Sequence, residues 1–280
     1  MTTPLRTELS PPLSSRLKQH HWKLDTILPL EHTIPKRYFQ EAPEDVVQNF
    51  CHLLSRDVYS EGDSQVLYDY IQSRRGEMSD TFLRMIDLWL ADELKHYQSL
   101  RRVYHCIAGI SFAEMNQCFS QRTHDFSPIQ MILKDELTIL LSLMFDEIGS
   151  VYSYRRDLKE YYSHFGPEIR KIGQQLVRDE QSHFNNAAEV ILQEYQHRLS
   201  EVRPFLTQLS ELEDTLHTYH KTFFLDHAQE KHRFPPCFNS VIIQVILARL
   251  GLEQRPKAKQ INYLWQWVPE GHTLVPVFAE

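Results

Sequence analysis

The chain has 280 residues, of which 42% are hydrophobic, and a formal net charge of −7. This negative charge argues against nonspecific nucleic-acid binding, which needs a basic surface. The low count of eight glycines disfavours an all-β fold. The sequence contains no uninterrupted run of about 18 apolar residues, so no membrane-spanning helix is predicted. The sequence therefore predicts an all-α protein that forms one large domain or two small ones.

The first residues lack the basic and then apolar segments of a signal peptide. The four cysteines are scattered and form no Cys-x-x-Cys motif. This usage predicts a cytoplasmic protein with reduced thiols that serve mainly as buried packing residues. They are Cys51, Cys106, Cys118 and Cys237.

Residues 1–42 contain five prolines, so we expect an irregular N-terminal segment that packs on the body. A first helix is predicted from Pro43 to Arg75, before Gly76, a typical terminating glycine. A second helix is predicted to begin at the N-cap Ser79 and to end near Gly109.

A short helix over 111–120 is expected to connect two antiparallel hairpins. The third helix is predicted to start at Pro128, and the break at 166–167 separates it from a fourth helix that ends near Ser200. Residues 43–200 would form a four-helix bundle, and residues 201–280 would complete the same domain. Further helices are predicted at about 204–232 and 238–251, and the tail from Pro256 is expected to be packed rather than helical.

A five-residue motif occurs twice: residues 92–96 and 179–183 both read Asp-Glu-x-x-His. An upstream glutamate precedes each copy, Glu61 in the first half and Glu147 in the second, 86 residues apart. The two motifs lie 87 residues apart, so the acids recur at matching depths in two hairpins. A third Glu-x-x-His, at Glu194 and His197, lies outside this repeat, and we interpret it as a chance match on an exposed face.

The spacing of the first hairpin puts two acids at one level. Glu61 precedes Arg75 by 14 residues and Glu93 follows Ser79 by 14, so both lie roughly 20 Å from the shared turn. Antiparallel neighbours would then bring the two carboxylates side by side in the middle of the bundle. The alternative is a bundle whose acids are solvated.

Buried carboxylates cost several kcal/mol each unless positive charge offsets them. The four positive charges of two divalent cations would offset four carboxylates. A spacing of three residues places Glu and His on the same helix face, so both can reach one cation. Oxygen and nitrogen ligands without thiolates favour iron or manganese. The predicted metal ligands are Glu61, Glu93, His96, Glu147, Glu180 and His183.

Asp92 and Asp179 each precede a proposed ligand glutamate and point about 100° away from it. Metal-bound imidazoles usually donate their other N–H to a carboxylate or carbonyl. We expect both aspartates to orient the imidazole of a neighbouring helix, although each could also be an ordinary surface residue.

Over residues 43–200 these motifs resemble the ferritin-like diiron-carboxylate superfamily, with its Glu … Glu-x-x-His repeated over four helices. The doubled Asp-Glu-x-x-His is most similar to the oxygen-activating branch, the soluble desaturases and bacterial hydroxylases. The resemblance implies that Glu93 and Glu180 bridge two iron ions, or manganese or a mixed pair. It implies that Glu61 and His96 complete one ion and that Glu147 and His183 complete the other.

Ser150 lies where some of these enzymes keep a threonine near the oxygen pocket, although a packing role is an equal alternative. Leu100 replaces the radical tyrosine of ribonucleotide reductase small subunits, and Leu176 replaces the third histidine of arylamine N-oxygenases. Rubrerythrins would add a four-cysteine site, which this chain does not offer.

These observations favour a diiron oxidoreductase that activates O2 to oxidise, hydroxylate or desaturate an apolar or aromatic organic substrate. It would require an external electron donor, and whether it forms a homodimer is open. One alternative is a ferritin-like protein that binds or oxidises metal without an organic substrate. Another is a non-catalytic helical interaction module.

Overall fold

The computed structural model describes residues 16–227 and 234–266, and this part of the chain is helical and contains no β-strand. The all-α prediction is confirmed for these residues. In chain order the helices are α1 (Leu24–Ile27), α2 (Lys36–Glu41), α3 (Glu44–Ser73), α4 (Asp80–Ala108), α5 (Phe112–Ser120), α6 (Glu136–Glu160), α7 (Pro167–Glu194), α8 (Val202–Thr215), α9 (Phe238–Arg249) and α10 (Ala258–Gln266).

The first hairpin consists of α3 and α4, which pack along their length. Their bounds differ from the sequence prediction by one or two residues. Ser79 caps α4, because its side chain accepts a hydrogen bond from the backbone N–H of Phe82. Gly109 ends α4 in the left-handed conformation, with φ of 72°.

The second hairpin consists of α6 and α7, joined by a short 3₁₀ turn and Gly166, whose φ is 101°. The predicted start of α6 at Pro128 is wrong, because Pro128 lies in a separate 3₁₀ turn. The helix begins after Asp135, whose side chain accepts from the backbone of Thr138 while the Thr138 hydroxyl accepts from the backbone of Asp135. This capping box fixes the N-terminus eight residues later than the proline suggests.

The two hairpins meet where α4 packs on α7. Large apolar side chains fill the core around this contact, with Trp89, Phe82 and Phe50 at most 1% exposed. α8 and α9 pack on α6 and on each other, and α10 packs on α6 and α9. The additional C-terminal helices therefore cover the second hairpin.

The predicted helix over 204–232 is wrong over 216–227, because α8 ends at Thr215, and residues 228–232 lie outside the described residues. Residues 216–227 contain no α-helix. Three non-glycine residues of this segment adopt positive φ: Lys221, Phe223 and Leu225. Tertiary contacts hold this segment, since Tyr219 donates its hydroxyl hydrogen to Asp63 Oδ2 at 2.8 Å. Such backbone strain persists only where the surrounding structure fixes it.

The tail also differs from the prediction, because α10 is helical over 258–266. The rest of the tail, from 267, and the first 15 residues of the N-terminal segment lie outside the described residues. The described part of that segment packs on the body, with Leu28 fully buried and the Lys18 backbone N–H donating to Asn186 Oδ1 at 2.8 Å. Across the described residues, no helix combines the length and the apolar character that crossing a membrane requires.

Candidate metal centre

The six predicted ligands come together in the middle of the two hairpins, one or two from each long helix. Glu61 projects from α3 and Glu147 from α6, whereas α4 and α7 each contribute the Glu and His of their motif. All six side chains are buried, and the four glutamates are at most 7% exposed. The alternative of solvated acids therefore does not describe this site.

The side chains fall into two groups that share one residue. Ligand atoms of Glu93, Glu147, Glu180 and His183 all lie within 4.8 Å of one another. Ligand atoms of Glu61, His96 and Glu180 do the same. Since Glu180 belongs to both groups, the arrangement has room for two cations that share a carboxylate.

Both imidazoles present Nδ1 to the glutamates. His183 Nδ1 lies 3.0 Å from Glu93 Oε1 and 3.2 Å from both Glu147 Oε2 and Glu180 Oε2. His96 Nδ1 lies 3.4 Å from Glu180 Oε1 and 3.6 Å from Glu93 Oε2. Each ring can therefore offer the same nitrogen to a cation among the carboxylates.

Several buried ligand atoms make no hydrogen bond. Among the described residues, Nδ1 of His96 and both carboxylate oxygens of Glu93 make no contact with hydrogen-bond geometry, although Glu93 Oε1 lies within ion-pair distance of His183 Nδ1. An unsatisfied buried polar atom costs about 1–3 kcal/mol, and more when it is charged. Divalent cations would satisfy these atoms and would suit their oxygen and nitrogen chemistry, so the residues fit a metal pair.

Each aspartate of the two motifs reaches the histidine of the other hairpin. Asp179 Oδ2 lies 3.2 Å from His96 Nε2, and Asp92 Oδ2 lies 3.4 Å from His183 Nε2. Burial opposes ionisation of Asp179, but its hydrogen bonds with His96 and Trp22 outweigh burial and lower its pKa to about 2. An ionised aspartate at Nε2 keeps the proton there and leaves Nδ1 free to bind a cation.

The surrounding pKa shifts reflect an excess of negative charge. Burial and the neighbouring Glu61 carboxylate raise the pKa of Glu93 to about 8, and burial holds the pKa of Glu147 well above its ordinary range. Burial disfavours the charged imidazole, yet the glutamates hold the pKa of His96 and His183 well above the usual value. A bound cation would displace protons from such a cluster.

The two aspartates are held in place by residues outside the set predicted for the site. The Trp22 indole N–H donates to Asp179 Oδ2 at 2.7 Å, and Lys95 Nζ donates to Asp92 Oδ1 at 2.7 Å. His20 Nδ1 lies 3.4 Å from the second oxygen of Asp179. Lys95 lies inside the first motif and could have been suspected, whereas no periodicity links the N-terminal segment to α7.

Two further donors contact the glutamates directly. The Trp89 indole N–H donates to Glu147 Oε1 at 2.8 Å, and the Tyr154 hydroxyl donates to Glu61 Oε1 at 2.5 Å. Each bond fixes one carboxylate oxygen and leaves the other to face the cluster.

A small cavity adjoins the glutamates, and Ser150 lines it. Its free volume is about 30 Å³, which is room for a water-sized molecule. Leu140, Met144 and Leu176 are fully buried in the core, but none of them lines this cavity. The cavity has a charged lining, which includes Arg56, Asp57, Arg156, Asp157 and Asp226.

The third Glu-x-x-His does not take part. Glu194 is the last residue of α7 and His197 lies in the following 3₁₀ helix, and both are exposed. The cysteines form no disulfide. The expectation that they are buried is wrong for Cys118, which is exposed on α5, and the other three are only half-buried against the core.

Comparison with known proteins does not place the chain in a family. No protein-family model matches it, and neither does any curated protein or solved structure.

Proposed function

We propose that this protein is a dinuclear-metal oxidoreductase built on a ferritin-like four-helix bundle. Glu61 and His96 would hold one iron ion, and Glu147 and His183 would hold the other. Glu93 and Glu180 would serve both. The observation that carries the proposal is the sharing of Glu180 by two buried groups of ligand atoms. Manganese or a mixed pair would suit the same donors.

When bound, a pair of reducible metal ions supplies the redox chemistry that activates O2. The chain's own residues bind and orient. Asp179 and Asp92 keep each imidazole in the tautomer that offers Nδ1, while Trp89 and Tyr154 fix one oxygen each of two glutamates. The buried apolar side chains around them exclude water.

The proposed reaction is the oxidation, hydroxylation or desaturation of an apolar or aromatic organic substrate, with electrons from an external donor, in the cytoplasm. The cavity beside the glutamates holds only a water-sized molecule, so a substrate of this kind would need the neighbouring segment 216–227 to move.

Removal of a shared glutamate tests the metal assignment. Glu180→Ala and Glu93→Ala should each lose most of the iron bound by the full chain, because each removes a carboxylate from the cluster. Iron per chain would be measured by mass spectrometry after purification from iron-supplemented cells. Glu194→Ala is the control and should keep its iron. Full occupancy in both cluster variants would contradict the assignment.

The second candidate is a ferritin-like protein that binds or oxidises metal without an organic substrate. The small, charged cavity favours it. Oxygen uptake distinguishes the two candidates. A metal-oxidising protein consumes O2 in proportion to added Fe(II) and then stops, whereas an oxidoreductase with an organic substrate continues when reductant and substrate are supplied.

A further inference from the structure

A second cavity, of about 310 Å³, opens on the outer side of the second hairpin. It lies between α6, α7 and α9 and extends to Ile261 on α10. Ile148 and Phe184 line it, and each directly follows a proposed metal ligand along its helix. The cavity therefore occupies a different face of these helices, and none of the proposed ligands lines it.

The floor of this cavity is apolar and partly aromatic. Ile148, Val151 and Phe184 are at most 5% exposed, and Tyr152 lies beside them. These side chains would contact the body of a ligand, and the ring of Phe184 would suit an aromatic one. The volume is near the lower end of the range for ligand pockets, which favours a small molecule over a long lipid.

Three arginines from three parts of the chain border the cavity, and no carboxylate lines it among the described residues. Arg249 is held in place, since its Nε donates to Asn185 Oδ1 at 3.0 Å and its Nη2 to Glu189 Oε1 at 2.6 Å. Arg155 projects from α6, and its Nη2 donates to Gln181 Oε1 at 3.4 Å.

Arg255 is the adaptable member of the three. It is exposed, and it makes no hydrogen bond or ion pair with any residue of 16–227 or 234–266. A guanidinium can bind a carboxylate through two parallel hydrogen bonds. Arg255 can therefore turn toward a ligand without breaking a hydrogen bond or ion pair among the described residues.

We propose that this cavity binds a small organic acid. The carboxylate would lie against Arg255 and Arg155, and the apolar or aromatic body would lie on the floor formed by Val151 and Phe184. Arg249 would add positive charge while it stays bound to Glu189. The site does not depend on the metal centre, so either proposal can fail alone.

Calorimetric titration of the full chain with 2-naphthoate tests the proposal, with 2-naphthalenemethanol as the uncharged probe. We expect one binding site for the acid and weaker binding of the alcohol. Arg255→Gln should weaken naphthoate binding by about tenfold, the loss of one charged hydrogen-bonding partner, and should leave the alcohol unaffected. Arg84→Gln makes the same charge change on an exposed part of α4 and should change neither.

Filling the cavity gives an independent measurement. Ala248 is a half-buried lining residue on α9, so Ala248→Trp should abolish naphthoate binding while the helix content measured by circular dichroism stays unchanged. The proposal is overturned if the unaltered chain does not bind naphthoate, if Arg255→Gln binds it normally, or if the alcohol binds as tightly as the acid.

Discussion

At the scale of single residues, Asp179 joins three parts of the site. One of its oxygens accepts the indole N–H of Trp22 and lies 3.2 Å from His96 Nε2, and the other lies near His20. Lys95 Nζ lies above the Trp22 ring, 4.7 Å from its centroid. The N-terminal segment therefore helps to set the orientation of an imidazole from the first hairpin.

Asp179→Asn should weaken metal binding. Partners of ligand histidines typically contribute 10–100-fold in metal affinity, and we expect a loss in that range. Asparagine keeps the shape but cannot hold the His96 proton on Nε2 as a carboxylate does. The affinity for Mn(II) would be measured by competition with a chelator. Asp87→Asn, on the exposed face of α4, should leave the affinity unchanged, and equal affinities in both variants would contradict the role of Asp179.

Asp57 predicts a pH dependence of stability. Burial raises its pKa from the ordinary 3.8 to about 6, although Arg56 opposes this shift. Because the pKa of Asp57 is raised in the folded state, the stability that protonated Asp57 contributes is fully present below about pH 4. This contribution is lost as the pH rises through about 6. At 1.36 kcal/mol for each pKa unit, the loss is about 3 kcal/mol.

Urea unfolding of the metal-free chain and of Asp57→Asn tests this prediction. The variant should gain stability relative to the unaltered chain between pH 4 and pH 7, because asparagine does not ionise. The interaction with Arg56 is already part of the Asp57 pKa shift. Replacing protonated aspartic acid by asparagine adds a constant to the difference, so its slope with pH is the quantity of interest. A flat difference for Asp57→Asn would show that burial does not raise its pKa.

At the scale of helices, two glycines in the second hairpin have opposite surroundings. A Cβ on Gly173 in α7 would lie 2.9 Å from Leu158 Cδ2 and 2.9 Å from Tyr162 Cδ1. A Cβ on Gly149 in α6 would meet nothing closer than 3.9 Å, in the ring of Phe238. Gly173 therefore allows the close contact of α7 with the turn before it.

Alanine at the two positions should give opposite results. Gly173→Ala should destabilise the chain by about 1–3 kcal/mol through overpacking. Gly149→Ala should stabilise it by about 0.5–1 kcal/mol, because alanine restricts the unfolded chain more than glycine does. Thermal and urea unfolding would measure both, and a Gly173→Ala variant as stable as the unaltered chain would contradict the packing account.

The helices were predictable from sequence where periodicity and caps agree, as for α3 and α4. The start of α6 was predicted wrongly because Pro128 seemed a natural first-turn residue, although Asp135 and Thr138 carried the capping signal. The end of α8 could not be predicted, because the contact between Tyr219 and Asp63 is long-range and leaves no local pattern. Helical propensity yields to such contacts.

At the scale of the whole molecule, the repeat explains why the candidate site could be located from sequence. Because the spacing puts the acids at matching depths in the two hairpins, it predicts that Glu61, Glu93, Glu147 and Glu180 lie at one level. The cavity was not predictable in the same way. Its charged lining includes Asp226, in the irregular segment after α8, and no periodic pattern in the sequence places that residue beside the glutamates.

The two hairpins also explain the crossed contacts of the site. Each Asp-Glu-x-x-His supplies a glutamate and a histidine to the centre, and its aspartate reaches the histidine of the other hairpin. Neither hairpin holds a complete set of contacts alone. We therefore expect the metal pair to stabilise the association of the two hairpins, since a ligand that binds only the folded state stabilises it.

Anomalous X-ray diffraction at the iron edge, from crystals of the iron-loaded full chain, tests whether the six residues hold two iron ions. We predict two anomalous peaks, one beside His96 Nδ1 and one beside His183 Nδ1, about 3.5–4 Å apart and both in contact with the Glu180 carboxylate. A crystal that contains iron but shows no peak among these residues would contradict it, and so would a single peak that contacts only one histidine.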